Sequence, residues 1–123
     1  MSMKTRFNIV VIAEDVVDYV FTIAKNMPKT LRSDIVPSVR NYALSILDNV
    51  TRANLTNLKD ARRLHYQEEA KVNIDILSSI SYLCKRNGYV TTHQLDVLGD
   101  KLLKLYDSVD KWIASDRNRL TEN

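Results

Sequence analysis

The sequence predicts an all-α protein, an antiparallel up-down-up-down four-helix bundle, and three observations predict it. From Leu95 onward, Leu95, Leu98, Leu102, Leu105, Val109 and Trp112 recur at steps of three or four, which places them on one side of a helix. Gly99, Tyr106 and Ile113 widen that stripe, while Asp96, Lys101, Lys104, Asp107, Asp110 and Lys111 occupy the opposite side. Such a helix is stable only with its stripe buried against neighbours. Second, Gly 2 and Pro 2 are too few for strands joined by tight turns. Third, three further amphipathic segments precede this one with short links between them, and short links make consecutive helices antiparallel.

Helix one is expected over about Lys4 to Asn26. Ile9, Ile12, Val16, Tyr19 and Ile23 form its seam, and Ala13, Val17, Val20 and Ala24 broaden it. The β-branched run Ile9 to Ile12 also suits a strand, but the helical spacing continues for four turns. Met27-Pro28 ends it, since the residue before proline is pushed out of the α region. Helix two follows a connection over Pro28 to Asp34, with Val39, Ala43, Ile46, Val50 and Ala53 as its stripe. Pro37 leaves two readings: Asp34 caps the helix with Pro37 in the first turn, or the helix starts near Thr30 and kinks. Helix three spans about Leu58 to Asn87. Its seam is Ala70, Ile74, Leu77, Ser81 and Cys84, with Ile76, Ile80 and Leu83 in a second row that suggests two neighbours. Asn87-Gly88 is a helix stop, and Thr91 or Thr92 caps helix four.

Residues 1–123 read as a single domain with a polar tail over 116–123 that is expected to fray. No apolar run approaches the ~18 residues that suggest a membrane helix. Glu14, Asp15 and Asp18 argue against a signal peptide, and the lone Cys84 fits a reducing cytoplasm. No cofactor, metal or catalytic constellation is expected. Neither His65 nor His93 has a Glu three residues before it, as an inward Glu-x-x-His metal site needs. Cys84 lies near a helix C-terminus, the wrong end of the dipole for a thiolate. The carboxylate pairs Glu14-Asp15 and Glu68-Glu69 are neighbours in sequence, so they diverge by about 100° on a helix.

Charge is more informative. The net charge is +3, with Lys29 and Arg32 in the first link, Arg40 and Arg52 on helix two, and Lys59, Arg62 and Arg63 opening helix three. Lys85-Arg86 close that helix, where cations complement the dipole. Lys59, Arg62 and Arg63 sit at its N-terminus, where each cation costs roughly 0.3–1 kcal/mol, which points to phosphate or an acidic protein partner. Tyr19, Tyr106 and Trp112 lie on seams with Phe21 and Tyr82 close by, leaving Tyr66 and Tyr89 free. The expected contacts are therefore with phosphates, without base-specific reading. Trp112 is read as core or as a subunit contact. Val10, Val11, Leu44, Leu55, Val72 and Leu103 fall off the main stripes and suggest an interface.

A set of short strings then occurs in one order: Met27-Pro28-Lys29-Thr30-Leu31-Arg32, Val39-Arg40-Asn41-Tyr42-Ala43-Leu44, Gln67-Glu68-Glu69-Ala70, Lys85-Arg86-Asn87-Gly88-Tyr89-Val90, and Trp112-Ile113. Over about Phe7 to Ser115 the chain resembles the accessory variability determinant (Avd) family of diversity-generating retroelements. These are four-helix-bundle proteins related to those encoded in ribosomal-RNA intervening sequences. The resemblance implies a basic homopentamer, bacterial or phage-encoded and cytoplasmic, with no catalytic activity of its own. It implies association with a reverse transcriptase and with RNA and DNA, in support of mutagenic copying of a template RNA. Lys29, Arg32 and Arg40 are the binding positions it suggests; the charge argument adds Arg62, Arg63, Lys85 and Arg86. The alternative reading is a generic RNA-binding bundle of the intervening-sequence type.

Overall fold

The structure, a computed structural model, describes residues 7–31 and 33–122. Four α-helices occur among them and no strand: α1 (Asn8–Lys25), α2 (Ile35–Leu55), α3 (Ala61–Arg86) and α4 (Thr92–Thr121), with a 3-10 turn at Lys29–Leu31. The β-branched start of α1 is helical because both sides of it are wanted inside. Ile9 and Val10 are buried together with Ala13, Val16, Val17 and Val20, as α1 packs against both α2 and α4. Val10, expected off the stripe, is thus core. Of the other residues expected there, Val11, Leu44, Leu55, Val72 and Leu103 are exposed.

Asp34 occupies the N-cap position of α2, so Pro37 falls in the first turn, where its missing N–H costs little. The Asp34 side chain does not bond the helix amides; it accepts from Ser33 Oγ at 2.9 Å. At the end of α3 Gly88 takes φ 75, the left-handed conformation that favours glycine. Its N–H donates to Lys85 O at 3.1 Å and that of Tyr89 to Cys84 O at 2.8 Å, the paired bonds of a Schellman stop. Thr91 then starts α4 with a capping box: its Oγ1 accepts from Gln94 N at 3.0 Å, and Gln94 Oε1 accepts from Thr91 N at 2.9 Å.

The core is built from all four seams. Val16 and Val20 of α1, Ile46 and Val50 of α2, Leu77 of α3, and Leu98, Leu105 and Val109 of α4 are among the most deeply buried side chains. Each such aliphatic residue contributes about 1.5–3 kcal/mol on leaving water. The α2–α3 interface is the most extensive, and α4 packs on α1 and α3. Two lysines tie α4 to those neighbours. Lys101 Nζ donates to Asp15 Oδ2 at 2.6 Å and lies 5.6 Å from the Tyr19 ring centre. Lys71 Nζ pairs with Asp110 Oδ1 at 2.6 Å and lies 5.1 Å from the Tyr106 ring centre.

Over the segment expected as a polar tail, α4 continues through Thr121, and Asp116 is buried. Among the described residues no helix is long and apolar enough to cross a membrane.

Candidate nucleic-acid interface

The cations divide between the two ends of the helical array. At one end, the link over 56–60 meets the first turn of α3 and the last turns of α4. Asp60 caps α3: its Oδ1 accepts from Arg62 N at 2.9 Å, and its Oδ2 meets Arg62 NH2 at 2.7 Å. Those hydrogen bonds, side-chain first and backbone second, hold the Asp60 carboxyl below its ordinary value. The Asp60 carboxylate thus offsets what the Arg62 cation costs at a helix N-terminus. Arg62 itself remains open to solvent, with its side chain 74% exposed.

Arg63 points the other way. Its side chain is 13% exposed, and its guanidinium faces Asp116 with both edges engaged: Nε donates to Oδ2 at 2.6 Å and NH2 to Oδ1 at 2.9 Å. NH1 donates to the carbonyls of Thr56 at 3.0 Å and Ala53 at 3.5 Å, closing the C-terminus of α2. The cation also lies 5.3 Å from the Trp112 ring centre, and that ring meets Phe7 edge-on at 4.9 Å. Gln67, 1% exposed, completes the cluster by donating from Nε2 to Asp116 Oδ2 at 2.9 Å. Burial alone would raise the Asp116 carboxyl; the hydrogen bonds from Arg63 and Gln67, with the charges of Arg63 and Arg119, hold it low instead.

Arg63, expected as a binding residue, is mostly buried here, and reaching a phosphate would break its pair with Asp116. Its cost at the helix N-terminus is met inside the fold. Trp112 lies in the core beside it. A cleft of about 220 Å³ opens over this cluster, with Leu64 and Leu120 at its rim. Lys59 and Arg117 also line it, and neither has a carboxylate within 4.0 Å among the described residues.

At the opposite end, Met27, just after α1, and Val90, just before α4, line one small apolar cavity. Lys25 and Arg40 share an open depression with Ala24 and Val36. The Arg40 guanidinium carbon lies 5.6 Å from the Phe21 ring centre, which orients the cation without neutralising it. Lys29 is exposed in the 3-10 turn; Lys85 is half-buried and Arg86 exposed in the last turn of α3. Lys25, Lys29, Lys85 and Arg86 have no carboxylate within 4.0 Å among the described residues. Arg32 lies outside the described residues.

Sequence reading missed Lys25, Asp116, Gln67 and one aromatic. Tyr66 and Tyr89, expected to be free, are half-buried against the core, whereas Tyr82 is 58% exposed. His65 and His93 are both exposed. Cys84 is buried, and burial pushes its thiol up, away from the thiolate that nucleophilic chemistry needs. Among the described residues, no group of three or more His, Cys, Asp or Glu is placed to hold a metal ion. Compared with protein-family models and with curated proteins, the chain matches none.

Proposed function

We propose that this chain is a non-catalytic accessory protein of the diversity-generating retroelement kind. It binds RNA and DNA and serves a reverse transcriptase as a homopentamer in a bacterial or phage-infected cytoplasm. The observation that carries the binding half of this reading is a set of cations at one end with no carboxylate within 4.0 Å among the described residues, Lys25, Lys29, Lys85 and Arg86, with Arg40 beside them. Cations without internal carboxylates are the ones a phosphate can take without competition. The retroelement half rests on the ordered strings quoted above, and the exposed Val11, Leu44, Leu55, Val72 and Leu103 supply apolar area for assembly. In this reading the helices run up-down-up-down. Lys71–Asp110 with Arg63–Asp116 support it for α3 and α4, and Asp15–Lys101 with Phe7–Trp112 for α1 and α4, because within each set partner numbers fall on one helix as they rise on the other.

The test is the salt dependence of binding to homopolymer RNA and DNA. Each phosphate contact on a single strand contributes about 0.7 to the slope of log affinity against log salt. Replacing Lys29, Lys85 and Arg86 by Ala together should flatten that slope by about 2 per bound subunit and weaken all sequences alike. Replacing Arg62 alone should change it by less than half as much. Unchanged binding and slope in the triple variant would remove the basis for the proposal.

A further inference from the structure

We infer that Tyr82 is a base-stacking platform, so that this end of the molecule holds single-stranded nucleic acid in preference to duplex. The inference rests on the phosphate-binding reading above and adds the chemical class of its ligand.

Tyr82 lies on α3 three residues before Lys85 and four before Arg86. Residues three and four apart on a helix share a face with Cβ atoms roughly 5–6 Å apart. One helix face therefore carries an exposed tyrosine, a half-buried lysine and an exposed arginine. Tyr82 is 58% exposed although its side chain is large and mostly apolar. The other tyrosines differ: Tyr19, Tyr42, Tyr66, Tyr89 and Tyr106 are half-buried and packed against the core. Tyr19 and Tyr106 also have a lysine over the ring, which covers a face. No ring or cation contact involves Tyr82 among the described residues. Its neighbour Leu83 is exposed as well, at 49%.

Single strands are held by this combination of parts, an aromatic face for a base and cations for the adjoining phosphates. In a duplex the bases stack on one another, and no face is offered to Tyr82. Stacking accepts any base, so the inference keeps the expectation that no sequence is read.

The test compares three probes on the full chain: a dT homopolymer, an abasic deoxyribose-phosphate oligomer of equal length, and a duplex of mixed sequence. Tyr82→Ala should weaken the homopolymer by roughly five- to a hundred-fold. It should leave the abasic oligomer and the duplex within about twofold, and the salt slope unchanged, since a ring releases no counterions. Tyr82→Phe should restore binding, because the ring and not the hydroxyl is used. Lys85→Ala with Arg86→Ala should weaken all three probes and flatten the slope. If Tyr82→Ala leaves the homopolymer untouched while the double variant weakens it, stacking is wrong and phosphate binding stands. If neither variant weakens any probe, both readings fall. If Tyr82→Ala changes the oligomeric state by light scattering, Tyr82 is a subunit contact and the inference is overturned.

Discussion

Asp116→Ala tests the claim that the cluster at the start of α3 is structural. The substitution strips two acceptors from Arg63, one from Gln67, and the nearby anion from Arg119. Gln67 is fully buried and the Arg63 side chain nearly so. An ion left unpaired in such a place costs about 3–5 kcal/mol. A chain of this length has a total stability of roughly 6–18 kcal/mol, so the loss is a large part of it. Urea denaturation at pH 7 should show the midpoint falling with m unchanged. Thermal melts should drop by about 4 °C per kcal/mol.

Removing both charges, Arg63→Met with Asp116→Leu, should cost at least about 2 kcal/mol less than Asp116→Ala alone, because no ion is then stranded. pH gives a second handle. The Asp116 carboxyl is held below its ordinary value of 3.8, so its contribution is complete above that value and is lost as pH falls below it through the folded-state titration. The advantage of the native chain over Asp116→Asn should therefore persist at pH 5 and shrink as pH falls below 3.8. A cost under about 1 kcal/mol for Asp116→Ala, or an additive double substitution, would show that the pair is solvated and Arg63 available to ligands.

Leu105→Ala, in the middle of α4 and fully buried, should cost about 2–5 kcal/mol by urea denaturation, from lost transfer energy plus the cavity. Thr91→Ala removes the side-chain half of the capping box and should cost about 0.5–2 kcal/mol, with faster amide exchange confined to the first turn of α4. Light scattering at micromolar concentration should give five times the 14.2 kDa chain mass; a particle of 14.2 kDa would contradict the assembly part of the proposal.

The helices were legible because each seam follows the 3.6-residue period and each end carries its own stop. Met27-Pro28, Asn87-Gly88 and Thr91 with Gln94 act through local geometry that a sequence states directly. The buried cluster was half-legible. Extending the α3 seam backward from Ala70 by steps of three and four reaches Gln67 and Arg63, and extending the α4 seam forward from Trp112 reaches Asp116. Polar residues on buried positions imply one another, but 53 residues separate Arg63 from Asp116, and periodicity does not say which seams meet. Tyr82 was misplaced for a related reason. It adjoins Ser81 on the seam, yet neighbours on a helix point about 100° apart, and that turn carries the ring to the outside. Val10 shows the converse, since a helix wedged between two neighbours buries a wider arc than one seam.

Charge is where the sequence misleads most, because a cation's position along a helix does not say whether a carboxylate will meet it in space. Lys59, Arg62 and Arg63 look unfavourable at the start of α3, and two of the three turn out to be neutralised by Asp60 and Asp116. Lys85-Arg86 look accounted for by the dipole, and among the described residues neither has a carboxylate within 4.0 Å. The consequence is physical. A net charge of +3 spread evenly over 18 cations and 15 anions would attract a polyanion weakly. Pairing within the fold redistributes it: Arg62 and Arg63 are cancelled at one end, where Lys59 and Arg117 stay unpaired among the described residues, and Lys25, Lys29, Lys85 and Arg86 stay unpaired at the other. The buried pair and the exposed cations are thus two outcomes of one arrangement. A change at Asp116 should alter stability and leave the salt slope of binding alone, while a change at Lys85 and Arg86 should do the reverse.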